Sequence, residues 1–199
     1  MVKYQEQHAS FANKAGTGFS MEKDMSIIRQ IAQLGQPVLR EVAQKVANPK
    51  DPAVQSLIDD LLVTVADANG VGIAAPQVFV GLSLFIVASR PNPRYPQAPD
   101  LDPIAMINPQ LLWASEEKEK GWEGCLSIPG IRGVVPRHRM VGVRYLTRTG
   151  EVREEEYSNF LARVFQHEFD HIQGVVFIDR VESTRELVTE KEYLRIVSG

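Results

Sequence analysis

The chain of 199 residues holds one cysteine, Cys125, which excludes an internal disulfide and leaves that thiol as buried filler, a nucleophile or a metal ligand. It also lacks a basic excess. Against 22 Lys and Arg stand 25 Asp and Glu, a formal charge of −3, so the dense positive surface that phosphate-backbone binding needs is missing and no direct nucleic-acid partner is expected. No run reaches the roughly 18 apolar residues that span a bilayer, which removes a membrane partner from consideration. The first twenty residues include His8, Asn13 and Lys14 and have no apolar core of a secretory signal. Together with the unpaired thiol, this leads to the expectation of a cytoplasmic protein. What is present is a hydrophobic content of 44%, enough for one substantial core. Residues 1–24 are polar and aperiodic and read as a mobile arm, with a single domain expected over 25–199.

Asp51-Pro52 offers a capping residue followed by proline at the first helical position. Val54, Leu57, Ile58, Leu61, Leu62 and Val65 then recur at helical spacing, predicting an amphipathic helix closed by Asn69-Gly70. Leu82 to Ala88 is an apolar run suited to a buried strand. Pro91, Pro93, Pro96, Pro99 and Pro103 follow it and predict a loop that interrupts a sheet without separating domains. Met140 to Leu146 and Val152 to Tyr157 flank Thr147-Arg148-Thr149-Gly150, the pattern of a β-hairpin. Ser158 or Asn159 can cap a helix running to Gln173 and stopped by Gly174, and its Phe160, Leu161, Val164, Phe165, Phe169 and Ile172 leave little polar surface. Strands preceding such a helix, without βαβ alternation, predict an α+β fold of mostly antiparallel strands packed around a buried C-terminal helix.

That helix carries His167-Glu168-Phe169-Asp170-His171. Histidines at i and i+4 share a helix face and can reach one divalent ion, while Glu168 can handle the protons of a water held there. A catalytic centre of this kind usually takes three protein ligands, and Cys125 in Glu123-Gly124-Cys125-Leu126-Ser127-Ile128-Pro129-Gly130 completes a Cys-His-His set. A third segment, Gly70-Val71-Gly72-Ile73-Ala74-Ala75-Pro76-Gln77, has small residues that allow close backbone approach and a glutamine amide able to donate to a developing oxyanion. It does not match phosphate-loop or dinucleotide spacings.

In this order and spacing, the three segments resemble the signature motifs of the peptide deformylase family, over roughly Ile27 to Phe177 and including Gly35-Gln36-Pro37-Val38-Leu39-Arg40. The resemblance implies an α+β fold in which Cys125, His167 and His171 hold one divalent metal, iron(II) being favoured and zinc, nickel or cobalt being the alternatives. It implies hydrolysis of the N-formyl group from the formyl-methionine of nascent polypeptides. Glu168 would move the proton, and the Gln77 amide and the backbone N–H of Leu126 would hold the formyl oxygen. Gly72 would contact the substrate backbone. Val71, Gly121, Phe160, Arg163 and Val164 would border the methionine pocket, an apolar surface that suits an unbranched thioether. Arg137 is expected to pair with Asp170 and orient the metal helix, and Arg132 to reach the substrate's peptide chain.

Two departures stand out: Ile172 where leucine is frequent, and Phe79 where glycine is frequent, the latter altering the turn after Gln77. A transient ribosome contact stays open as a partner, without support from a basic C-terminal extension, because Arg185, Lys191 and Arg195 are set against Glu186, Glu190 and Glu192. The rival readings are a zinc metalloprotease, which shares the His-Glu-x-x-His helix, and a non-catalytic metal-binding relative.

Overall fold

The computed structural model describes residues 26–91, 95 and 98–198. The arm expected over residues 1–24 lies outside them, as do residues 92–94, 96 and 97 of the proline-rich stretch.

Helix α1 (Pro52–Asp67) starts as its sequence dictates, with the Asp51 carboxylate accepting from Ala53 N at 2.8 Å and Pro52 in the first turn. Val54, Leu57, Ile58, Leu61 and Val65 are buried on one face. Leu62, at the edge of the same stripe, is only partly covered. The helix ends at Asn69, whose φ of 50° is the left-handed conformation that asparagine tolerates. Two polar residues of α1 are also buried, Asp60 and Thr64, and both receive the incoming chain. Asp60 accepts from Ile27 N and Arg29 Nε, each at 2.7 Å, and Thr64 Oγ1 accepts from Arg29 N at 2.9 Å. From that anchor the segment runs on to donate Ala32 N to the Gln77 carbonyl and Leu34 N to the Ser127 carbonyl.

Strands β1 (Gly72–Ala74), β2 (Leu84–Val87), β3 (Ile104–Ala114), β6 (Met140–Leu146) and β7 (Val152–Ser158) form a five-stranded sheet in the order β1-β2-β3-β6-β7. A second sheet of three strands is built from β4 (Lys118–Cys125), β5 (Ile128–His138) and β8 (Leu187–Thr189). All pairings within the sheets are antiparallel. The proline-rich stretch links β2 to β3, which are neighbours, so it is an excursion from one sheet as its composition suggests. The β6–β7 hairpin forms where expected, with Gly150 at φ 81° in its turn.

Helix α2 (Asn159–Ile172) contacts β1, β2, β6 and β7 of the larger sheet and β5 of the smaller. Phe165 packs edge-on against Phe85 with ring centroids 5.6 Å apart, which fixes one face of the helix to the core and turns the other toward β4 and β5. Its start differs from expectation. Ser158 occupies the capping position but makes no side-chain capping bond, because it is still paired with Met140 in the β6–β7 ladder, and Asn159 N is satisfied by the Arg139 carbonyl at 2.8 Å. The stop is as predicted: Gly174 has φ 72°, and a Cβ there would lie 2.7 Å from the Arg40 carbonyl. A third helix, α3 (Glu190–Ser198), follows, with Tyr193 buried edge-on against Trp122 at 5.4 Å. The result is a mixed α+β fold of antiparallel strands around α2.

Candidate metal centre

His167 and His171 lie one turn apart on the face of α2 that points away from Phe165, with ring centroids 5.2 Å apart. Cys125 is the last residue of β4, and the register shift between Glu123 and Cys125 precedes the turn into β5 that presents its thiol to the helix. The three donor atoms lie within 4.8 Å of one another, and Cys125 Sγ is 3.2 Å from His171 Nε2. Ligands at zinc-type bond lengths around a tetrahedral ion sit roughly 3.5 Å apart, so this donor set fits one ion.

Neighbouring groups orient the donors and favour ionisation of the thiol. His167 Nδ1 is 2.9 Å from Glu123 Oε2, a contact that assigns the proton to Nδ1 and turns Nε2 toward the thiol. Burial works against the Glu123 carboxylate, but the Arg137 guanidinium and the hydrogen bonds from His167 and Arg137 keep it well below the usual carboxylate range. Burial likewise opposes ionisation of Cys125, yet the charge of His171 and hydrogen bonds from both imidazoles hold its pKa well below the ordinary thiol value. Ser127 N and Gln77 Nε2, each 3.4 Å from Sγ, add two N–H donors to the sulfur. A thiolate is the form that ligates.

Behind the ligands lies a closed ion network. Arg137 grips Glu123 with Nε and Nη2 at 2.9 and 3.0 Å and reaches Asp170 Oδ2 with Nη1 at 2.6 Å, the pairing expected from sequence. Arg180 binds the other Asp170 oxygen at 2.7 Å, and Arg163 adds a contact to Glu123 at 2.9 Å. These bonds tie β4, β5 and α2 into one frame around the histidines.

Among the buried carboxylates of this interior, Glu168 is the exception. Burial raises its carboxyl to about 7 despite the opposing charges of His167 and His171, and its Oε2 has no hydrogen-bond partner among the described residues. A protonatable carboxyl with an open acceptor beside the ligands is what water activation requires. Gly72 makes room for it, since a Cβ at that position would stand 2.4 Å from Glu168 Oε1.

The ligand cluster opens into a cavity of about 340 Å³. Of the residues singled out from sequence, Val71, Gly72, Gln77, Cys125, Leu126, Arg132, Phe160, Arg163, Val164, His167 and Glu168 all line it. His171 is fully buried behind the thiol. Gly121 is not on the lining: the Arg163 guanidinium lies flat on it, 2.9 Å from where a Cβ would be, and bonds the carbonyls of Glu119 and Val135 at 2.7 and 2.8 Å. The Gln77 amide is oriented by its own carbonyl, which accepts from Ala74 N at 2.8 Å, leaving Nε2 beside Sγ and 3.1 Å from Ser127 Oγ. Arg132 lines the cavity with its guanidinium already engaged, as Nε and Nη2 bind the two Glu190 oxygens at 2.8 Å each.

Sequence reasoning missed Glu123, Ser127 and Tyr95. Glu123 had a usable signal, because ligating imidazoles regularly give their second nitrogen to a carboxylate and Glu123 sits two residues before the thiol. Ser127 and Tyr95 carried none.

Three donors around one point, two of them buried, with the buried carboxyl of Glu168 at their side, have the composition of a metal-dependent hydrolase centre. The family model for polypeptide deformylase matches residues 28–186. A relative from Nostoc sp., Peptide deformylase 2, is 58% identical over 168 residues, covering 84% of this chain and 94% of that protein. The crystal structure of a class I type b peptide deformylase from Acinetobacter baumannii with bound Met-Ala-Ser superposes with a TM-score of 0.77 at 44% identity, over 79% of this chain and all of that one. The enzyme from Thermotoga maritima superposes with a TM-score of 0.71 at 37% identity, over 80% of this chain and all of that one. The chain belongs to the polypeptide deformylase family, which sets aside both the metalloprotease and the non-catalytic reading.

Proposed function

We propose that this deformylase removes the formyl group from N-formylmethionyl nascent polypeptides with Glu168 as the proton carrier. The observation that carries this reading is the unpartnered Oε2 of buried Glu168, beside the ligand cluster at the cavity wall. Cys125, His167 and His171 would hold a divalent ion, which when bound would supply Lewis acidity toward a water and the formyl carbonyl. Glu168 takes a proton from the attacking water and returns it to the amide nitrogen as the C–N bond breaks, releasing formate and the free α-amine. The Gln77 Nε2 and Leu126 N–H donors meet the negative charge that develops on the formyl oxygen. Val71, Phe160 and Val164 supply apolar walls for the methionine side chain, and Arg163, seated on Gly121, closes the floor.

The substrate class is supported by the Met-Ala-Ser found in the Acinetobacter relative, a peptide of the kind this reaction leaves behind. Iron(II) is the proposed metal, with zinc, nickel and cobalt able to occupy the same donor set. The working unit is residues 25–199 as one catalytic domain, placed in the cytoplasm where nascent chains begin. Among the described residues no helix is long and apolar enough to cross a membrane. The test is metal analysis of anaerobically purified protein alongside formate release from formyl-Met-Ala-Ser. The expected result is about one iron per chain and formate release that Glu168→Gln lowers by roughly 10²-fold or more while metal is retained. Near-normal turnover by Glu168→Gln rejects the assignment.

A further inference from the structure

Among the described residues of the proline-rich excursion between β2 and β3, Tyr95 reaches the cavity wall. Tyr95 lines the cavity next to Phe160, with ring centroids 5.2 Å apart and planes tilted by 58°. Its hydroxyl accepts from Arg132 Nη1 at 3.1 Å. Arg132 is itself immobilised: it is 3% exposed and is clasped by both oxygens of Glu190 at the start of α3. It also lies against Gly124, where a Cβ would come within 2.5 Å of its Nη1. Its guanidinium carbon stands 5.8 Å from the centre of the Tyr95 ring and 5.1 Å from that of Tyr193, so two aromatic rings flank the cation.

We propose that Tyr95 is a specificity-determining residue, forming with Phe160 the outer aromatic wall of the pocket for the first side chain of the peptide, held there by Arg132 and Glu190. The inference rests on the deformylase reading of the cavity. Arg132, bonded to Tyr95 at this part of the wall, and its partner Glu190 are both charged, and both line the cavity. An apolar first side chain therefore needs the two rings to cover it, and a thioether gains particularly from contact with an aromatic edge. The hydrogen bond to Arg132 satisfies the polar tip of the tyrosine and fixes the ring's inclination, so the wall is formed before substrate arrives. Binding gained on a preformed wall is shared by the ground state and the transition state, so its loss should appear in KM and not in kcat. A first residue with a short side chain does not extend to the wall and should be indifferent to it.

The experiment compares metal-loaded wild type, Tyr95→Phe and Tyr95→Ala in two measurements. Calorimetric titration with Met-Ala-Ser and Ala-Ala-Ser reads the wall without catalysis. Formate release from formyl-Met-Ala-Ser and formyl-Ala-Ala-Ser reads it during turnover, and thermal melts show that each variant folds. For Tyr95→Ala we expect roughly tenfold weaker Met-Ala-Ser binding and a matching rise in KM for formyl-Met-Ala-Ser. The alanine peptides should change less than about twofold, and Tyr95→Phe, which keeps the ring, should stay within about threefold of wild type. Equal weakening for both peptides, or none for either, overturns the proposal, as does a wild type that binds both peptides alike. If the wild type binds Met-Ala-Ser selectively but releases no formate, the deformylase reading fails while the wall is still judged by the titration.

Discussion

Gly72→Ala tests how tightly Glu168, the proposed proton carrier, is placed. A Cβ built on Gly72 falls 2.4 Å from Glu168 Oε1 and 2.8 Å from its Cδ and Cγ, whereas ordinary van der Waals contact begins at 3.4 Å. The carboxylate must therefore retreat by about 1 Å. The strand cannot move instead, because Gly72 is paired with Val87 and all three residues of β1 are buried. A misplacement of that size costs on the order of 10²-fold in rate, or about 2.7 kcal/mol of barrier. Glu168→Gln alone removes the proton carrier and should cost about the same. If both changes act through the same carboxylate, the double variant should be no worse than the poorer single, since a displaced group that no longer carries protons has nothing left to lose. The assay is kcat for formate release from formyl-Met-Ala-Ser by the four proteins, with metal stoichiometry on each preparation. Gly72→Ala at wild-type kcat refutes the steric account, and an additive loss near 10⁴-fold shows that the glycine serves some other step.

The remaining expectations concern the ligands and the backbone. Cys125→Ala leaves two imidazoles for the ion, and metal occupancy after dialysis should collapse; full occupancy refutes a three-ligand site. Glu123→Gln withdraws the anionic partner of His167 Nδ1, so affinity measured against a competing chelator should drop roughly 10- to 100-fold, and unchanged affinity would show that the imidazole is positioned without it. Phe79 sits at φ 64°, the left-handed region that a bulky side chain occupies at a cost, and it is exposed. Phe79→Gly should therefore stabilise by about 1 kcal/mol, raising Tm by about 2–4 °C, and a lower Tm contradicts the strain. With iron as the native metal, peroxide should inactivate the iron form faster than a nickel-substituted one, and equal lifetimes count against that choice.

The parts of the centre that were legible in the sequence are those with a local signature. Two histidines four apart on a helix must share a face, so His167 and His171 follow from spacing, whereas Cys125 follows only from the resemblance of its segment to a family motif. The same holds for α1, whose cap, proline and apolar stripe agree, and for the β6–β7 hairpin. Phe79 was readable as a departure, and its positive φ shows why glycine suits that turn. The partners set by long-range register were not readable. Glu123 meets His167 across 44 residues, and only the bulge before Cys125 and the angle of α2 bring them together. Strands β1 and β8 have three residues each, too few to show a period of two. Tyr95 lies in a stretch whose prolines announce a loop and say nothing of where a ring within it points. Arg132 lines the cavity, and the Glu190 carboxylate that holds it could not be read from sequence because its position depends on where α3 docks.

The distribution of buried charge around the metal centre separates the paired carboxylates from the one proposed to act. Glu123 and Asp170 are buried carboxylates, and three arginines, Arg137, Arg163 and Arg180, answer them with five side-chain contacts at 3.0 Å or less that include two ends of one guanidinium. Glu168, two residues before Asp170 on the same helix and just as buried, receives none of these arginines. An unpaired buried carboxyl is expensive, and the usual resolution is a partner or a shifted pKa. Here the pKa has shifted to about 7, while cations that could have paired the group are spent on its neighbours. A guanidinium on Glu168 would lower that pKa and fill the acceptor position a water needs, so pairing would stabilise the fold and stop proton transfer. The arginine network thus stabilises the frame up to the edge of the cavity and ends where the chemistry needs an acceptor left open.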